Sequence, residues 1–286
     1  MTRLALGLIW LLHWLPYRWL AFLGDGLGAL LWRFGRERRH VALTNLRLCF
    51  PQLSEMQRRQ LAQRHFACFA RALLARGLLW YASPERLRRL IQIEGLERLH
   101  ASAGPTLLLV PHFVGLDAGW TRLTLEGPLA SVYARQKDRH FDAALLAGRR
   151  RFNQPTLLAR QNGMRGAVRA LRAGLPFYYL PDLDYGARDA LFVPFFGVPA
   201  ATITGLSRLA RLTGARVLPV IVLQTDRGYT VRIDPPWTDF PGACVEEDTQ
   251  RMNDFIEEAV RAQPEQYFWL HKRFKTRPAG EPSPYR

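Results

Sequence analysis

Between Gly104 and Val222 short apolar runs alternate with stretches whose apolar positions recur at threes and fours. Thr106, Leu107, Leu108, Leu109 and Val110 form the most compact run, preceded by Gly104-Pro105 and stopped by Pro111. An apolar run without alternation, held between breakers, reads as a strand buried on both faces. Leu129 to Ala134 and Pro176 to Leu180 read as further strands from their aromatic and β-branched content. Arg216 to Gln224 and Tyr229 to Ile233 flank Asp226-Arg-Gly228 and read as a hairpin. Helices are expected after Asp117, from Gln136 to Phe152, from Asn162 or Gly163 to Gly174, from about Ala201 to Thr213, and from Glu246 to Ala262. The alternation predicts an α/β fold with a central, mostly parallel or mixed sheet flanked by helices.

The N-terminal pattern is different. Leu4 to Phe34 is apolar almost throughout, with Trp10, Trp14, Trp19 and Trp32 and few charges. As one helix it would reach about 46 Å, against roughly 30 Å of bilayer hydrocarbon, but Pro16 and Arg18 interrupt it. It therefore reads as a membrane anchor, residues 1–35, either a tilted transmembrane helix or an in-plane hairpin, ahead of a domain over residues 36–286. Arg33, Arg36, Arg38 and Arg39 follow it, and the positive-inside rule puts the remainder in the cytoplasm. From His40 to Leu99 the chain looks helical, with a capping box at Ser54-x-x-Gln57. The arginines 58, 59, 64, 71 and 76 in that region read as a solvated or lipid-facing side, with a binding role as the alternative.

Charge narrows the partners. The formal net charge is +16 over 286 residues, and all the basic side chains but Lys137, Lys272 and Lys275 are arginine. Anionic partners are implied: lipid, phosphorylated substrate, acidic carrier or nucleic acid. Cys49, Cys68 and Cys244 are dispersed and outside any C-x-x-C, which points to a reducing compartment and no metal site. There is no P-loop, G-x-S-x-G or G-x-G-x-x-G.

The candidate chemistry lies where the most compact strand ends, at His112, followed five residues later by Asp117. Five positions advance about 140° round a helix, so a turn must separate the two, and Gly115 allows it. Asp117 can then open a helix with its carboxylate in reach of the imidazole, the pairing that makes histidine a general base toward a hydroxyl. Spacing alone is weak evidence, since roughly 0.6 such pairs arise by chance in a chain with this composition. The second cluster is Arg149-Arg150-Arg151 at the end of a helix, where cations also favour the helix dipole. Asp182 and Asp184 follow the strand ending at Leu180, and open α/β sheets place ligand contacts at strand C-termini. Phe192 to Phe196 is an apolar cluster suited equally to an acyl channel or to core packing.

Strand, turn, His-x-x-x-x-Asp and helix together resemble the acyltransferases that move a fatty acyl chain from a thioester to a lipid hydroxyl. Four further blocks are similar to the late acyltransferases of lipid A biosynthesis, the lauroyl and myristoyl transferases. These are Leu146-Ala-Gly-Arg149, Tyr179-Leu-Pro-Asp182-Leu-Asp184-Tyr-Gly186, Phe192-Val-Pro-Phe-Phe-Gly197, and the closing Pro264-Glu-Gln-Tyr-Phe-Trp-Leu-His-Lys-Arg-Phe-Lys-Thr-Arg-Pro278. The closing block is the most specific, and the resemblance covers nearly the whole chain. It implies a glycerolipid-acyltransferase-like fold and a membrane-bound enzyme of the bacterial inner membrane. The implied reaction moves an acyl chain from acyl carrier protein to a hydroxyl of a lipid A precursor, with neither cofactor nor metal. It also implies His112 and Asp117 as the catalytic pair, Arg149 as a substrate-binding residue, for phosphate or for the oxyanion, and Asp182 as the acid that holds an arginine in place. The family's second arginine directly follows Val-Tyr, whereas here Ala134 stands there and Arg135 comes one place later. Rival readings are an acyltransferase for another membrane glycolipid or phospholipid and, more remotely, a basic nucleic-acid-binding protein. An apolar N-terminus and the lack of a nucleic-acid module argue against the latter.

Overall fold

The computed structural model describes residues 2–101, 104–159 and 163–285. Asn162, one of the two expected openers of a helix, lies outside them.

The chain opens with helices α1 (Thr2–Leu12), α2 (Tyr17–Phe34), α3 (Arg36–Cys49), α4 (Glu55–Tyr81) and α5 (Pro84–Leu90). The expected capping box is formed: Ser54 Oγ accepts the Gln57 N–H and Gln57 Oε1 accepts the Ser54 N–H. The expected transmembrane helix is not. No helix among the described residues is long and apolar enough to cross a membrane. The physical reason is the break at His13–Pro16, which leaves α1 only 11 residues, about 16 Å. The 18 residues of α2 include Arg18, Asp25 and Arg33. Both helices instead pack on α4. A Cβ on Gly24 or Gly28 would stand 2.7 Å from the backbone of Arg71 or Ala67, so these glycines set how closely α2 lies on α4. Arg71 binds Asp25 through both carboxylate oxygens, at 2.6 and 2.8 Å. Leu4 on α1, Trp14 in the break between the helices, and Trp19, Phe22 and Phe34 on α2 remain exposed.

The seven-stranded sheet comprises β1 (Ile91–Glu94), β2 (Thr106–Leu109), β3 (Ala130–Tyr133), β4 (Thr156–Ala159), β5 (Phe177–Tyr179), β8 (Arg216–Thr225) and β9 (Gly228–Ile233), in the order β1-β9-β8-β2-β5-β3-β4. All neighbours run parallel except the β8–β9 hairpin, so the sheet is mixed. Its crossings are made by α6 (Leu96–His100), α7 (Leu116–Thr124), α8 (Arg139–Arg149), α9 (Gly163–Arg172) and α10 (Gly205–Thr213), and α11 (Val245–Ala262) follows the hairpin. Because β2 is central, both its faces are covered: Leu107 and Leu109 join one apolar cluster, Leu108 and Val110 the other. That two-sided burial is why the run shows no alternation.

One expected helix starts later than its pattern predicts. Ala201 belongs to a second, two-stranded sheet formed by β6 (Ala190–Phe195) and β7 (Val198–Ile203). Phe196 and Gly197 turn the hairpin with φ of 53° and 75°, the positive-φ pair of a type I′ connection. β-branched Val198, Thr202 and Ile203 favour the strand, and α10 begins only at Gly205. Val193, Phe195 and Phe196 are buried in the core, so most of the Phe-rich block packs the interior.

Candidate active site

Two parallel strands build the centre of the site. Leu109 of β2 pairs with Tyr179 of β5, and each chain then leaves the sheet through a proline, Pro111 and Pro181. His112 and Asp182 stand equally far beyond those paired residues, so the register sets them side by side. Asp182 accepts from His112 twice: Oδ1 takes the ring Nδ1–H at 2.7 Å and Oδ2 takes the main-chain N–H at 2.9 Å. Burial works to raise the Asp182 pKa, but the His112 charge, both hydrogen bonds and the Arg273 guanidinium outweigh it and hold the carboxyl below its usual value. With Nδ1 tied to the carboxylate, Nε2 is the free nitrogen of the ring, and it has no hydrogen-bond partner among the described residues.

The partner of His112 is therefore Asp182, a correction to the expected pairing with Asp117. Asp117 lies in the first turn of α7, where two guanidinium groups engage its carboxylate. Arg149, the last residue of α8, donates Nε and Nη2 to Oδ1 at 3.2 and 2.6 Å. Arg76 of α4 donates Nη2 to Oδ2 at 3.4 Å. Burial raises the Asp117 pKa, yet the charges and hydrogen bonds of Arg149 and Arg76 prevail and bring it down to about 2. The expectation that Asp182 holds Arg149 is corrected at the same point, since Asp117 holds it. Gly148 is needed beside this arginine because a Cβ there would stand 2.2 Å from the Trp80 indole. Trp120 fixes the end of α8 from below, donating its indole N–H to the Arg149 carbonyl at 3.0 Å.

Arg76 is the residue that sequence reasoning could not single out from the other arginines of its helix. It is one of several arginines on α4, and only the fold reveals that it meets Asp117 while its neighbour Arg71 meets Asp25. Arg135 is not in the cluster: its side chain is 84% exposed and lies 3.9 Å from Asp142.

The closing block of the sequence wraps the site. Phe268 N–H donates to the His112 carbonyl at 2.9 Å and Val114 N–H to the Gln266 carbonyl at 2.8 Å, with a bridge between Phe113 and Tyr267. His271 Nε2 accepts the main-chain N–H of Asp184 at 2.9 Å. Asp184 itself faces Thr276, accepting its N–H and hydroxyl at 2.6 and 2.7 Å. Arg273, buried, donates to the Ala201 carbonyl and to Thr202 Oγ1 and so ties the block to β7. Among the described residues no three His, Cys, Asp or Glu side chains are grouped as metal ligands. The arrangement offers a proton acceptor at His112 backed by an acid and, at Asp117 five residues further on, a cluster of two guanidiniums and one carboxylate that keeps a net positive charge.

A family model described as bacterial lipid A biosynthesis acyltransferase matches residues 1–276. The lipid A biosynthesis lauroyltransferase of Escherichia coli (strain K12) is 36% identical over 291 aligned residues, covering 100% of this chain and 94% of that protein. The lipid A biosynthesis palmitoleoyltransferase of the same organism is 35% identical with the same coverage. Among solved structures, the 1-acyl-sn-glycerophosphate acyltransferase from Thermotoga maritima is similar with a TM-score of 0.41 and 14% identity, over 80% of this chain and 98% of that one.

Proposed function

Because this chain belongs to the bacterial lipid A biosynthesis acyltransferase family, we propose that it carries an acyl chain from acyl carrier protein to a hydroxyl of a lipid A precursor, with His112 as general base. The observation that carries the mechanism is the double acceptance of His112 by Asp182. In the neutral ring, an Nδ1–H held by a carboxylate leaves Nε2 as the nitrogen that can accept a proton, and the carboxylate stabilises the imidazolium that forms. Nε2 takes the proton of the acceptor hydroxyl as its oxygen attacks the thioester carbonyl. The carbonyl electron pair moves onto oxygen, and collapse of the tetrahedral intermediate breaks the C–S bond. The departing thiolate recovers the proton from His112, so no acyl-enzyme is needed.

Arg149 and Arg76 share one carboxylate, and their surplus charge suits a phosphate of the lipid acceptor. A chain of net charge +16 also attracts an acidic carrier. The exposed apolar side chains of α1, α2 and the break between them fit an in-plane seat on the cytoplasmic face of the inner membrane, with Trp14 and Trp19 at headgroup depth. The test supplies the same acyl chain on carrier protein and on coenzyme A to the enzyme with a lipid A precursor in detergent. Turnover from the carrier thioester is expected, with none from His112→Ala. Equal or better turnover from coenzyme A rejects the donor, and full activity of His112→Ala rejects the base.

A further inference from the structure

The loop Asp182–Leu183–Asp184 holds two imidazoles. His112 is bound at Asp182, and His271 is bound at the main-chain N–H of Asp184. The segments carrying the two rings are also laced together, by Phe268 N–H on the His112 carbonyl and by the bridge between Phe113 and Tyr267. His271 is anchored from behind, its carbonyl accepting Asn45 Nδ2 at 2.8 Å and the Arg273 N–H at 2.9 Å.

The bond from Asp184 determines the tautomer. A ring nitrogen that accepts an N–H carries no proton, so neutral His271 has its single proton on Nδ1. A second proton would set an N–H against an N–H at Nε2. Burial, and then the nearby charge of His112, press the same way and outweigh Asp184, and with Arg273 added to them and Asp182 opposed the pKa falls to about 4. Nδ1 has no hydrogen-bond partner among the described residues, yet it is not sealed within the protein. His271 therefore stands beside the base as a histidine that can donate but cannot take a proton.

We infer that His271 is a second catalytic residue, whose Nδ1–H donates to the carbonyl oxygen of the acyl thioester as that oxygen becomes an oxyanion. The inference rests on the acyl-transfer reading above. In the balance of that reaction His271 keeps its proton throughout: the hydroxyl proton goes to His112 Nε2 and leaves with the thiol. A neutral donor suits this position, because His112 becomes a cation in the same step and a second cation next to it would oppose that charge.

Two substitutions separate the donor from a structural peg. Asparagine can place an amide N–H near the position of Nδ1, whereas glutamine can place an amide oxygen near Nε2 and keep the bond from Asp184. Both are measured in the full chain in detergent with acyl carrier protein thioester and lipid A precursor, after melting curves establish that they fold. His271→Gln is expected to lose about 10²- to 10³-fold in kcat with KM little changed, the usual cost of one oxyanion donor, and His271→Asn to keep most of its activity. A structural role gives the opposite order, and wild-type kcat in His271→Gln overturns the inference. If neither variant folds, ¹⁵N NMR of the histidine-labelled wild-type chain decides it. A proton on Nδ1 and no titration between pH 5 and 8 support the donor, and a proton on Nε2 or a titrating ring overturns it. A wild-type enzyme that transfers nothing from the carrier thioester would count against the acyl-transfer reading, while the tautomer measured by NMR stands apart from turnover.

Discussion

Asp182→Asn is the change that most directly tests the site. The carboxylate gives one oxygen to each of two His112 N–H donors, at 2.7 and 2.9 Å. The amide that replaces it offers a single acceptor oxygen and two hydrogens. Whichever way it faces, one His112 donor meets an NH₂, and the ring escapes only by moving its proton to Nε2. Nε2 then cannot receive the hydroxyl proton. The substitution also removes the anion beside the imidazolium, an attraction of about 4 kcal/mol at 4 Å for an effective dielectric near 20. At 1.36 kcal/mol per tenfold, kcat should fall about 10³-fold while KM changes little. Steady-state transfer of labelled acyl chains from carrier protein to lipid A precursor, followed over pH with circular dichroism as the folding control, measures it. A folded Asp182→Asn enzyme within about tenfold of wild-type kcat would refute the argument.

Arg149→Lys should remain impaired although its charge is kept, because Nε and Nη2 converge on one Asp117 oxygen and a single ammonium cannot copy that fork; wild-type kinetics would reduce Arg149 to a helix-end charge. Asp117, brought from 3.8 to about 2, has a depressed pKa, so its stabilisation is fully present above pH 4 and disappears as pH falls toward 2. It amounts to about 2 kcal/mol, and urea unfolding at pH 7 and pH 3 should show the gap between wild type and Asp117→Asn narrowing in acid; a gap independent of pH contradicts the ion pairs. Trp19→Asp with Phe22→Asp removes two exposed rings from α2 and should weaken binding to anionic vesicles by at least tenfold, at about 1.5–3 kcal/mol per buried ring, with the melting temperature little changed; undiminished sedimentation with vesicles would mean that another surface seats the protein.

Much of the sheet was legible because its central strands are short, apolar and bracketed by breakers. Gly104-Pro105 and Pro111 bound β2 so tightly that its burial on both faces follows from composition. The readings that failed are those in which local pattern does not fix the outcome. Val198 to Ile203 carries apolar residues that suit either a helix start or a strand, and the Phe196-Gly197 turn decides for the strand. Ile91 to Glu94 was absorbed into a helical stretch because Gln92 and Glu94 make it only half apolar, and pairing with β9 at the sheet edge supplies what its sequence lacks. Residues 4–34 are apolar enough to imply a membrane, but hydrophobicity does not say whether it is met end-on or side-on. Pro16 at the head of α2 divides the stretch, and the Asp25–Arg71 pair binds α2 to α4.

The site was legible in its members and not in its pairings, and the reason is topological. His112, Asp117, Arg149 and Asp182 all stand out in sequence as polar groups at element ends. A five-residue spacing invites joining His112 to Asp117, since local separation is all that sequence offers. Asp182 is 70 residues from His112 along the chain, and their contact depends on β5 lying beside β2 with Leu109 level with Tyr179. Two strands of equal register, each leaving the sheet by way of a proline, deliver base and acid to the same height. Once Asp182 is taken, Asp117 is available to Arg149 from α8 and Arg76 from α4, helices that also pack on each other where Trp80 meets Gly148 and Phe141. The exchange of partners changes the chemistry expected of each group. An acid on the imidazole sets the tautomer of the base, whereas an acid between two guanidiniums sets how much positive charge is left for an anionic substrate. The strand order therefore joins Asp182 to His112 and leaves Asp117 to the two arginines, pairings that neither residue's neighbours in sequence could reveal.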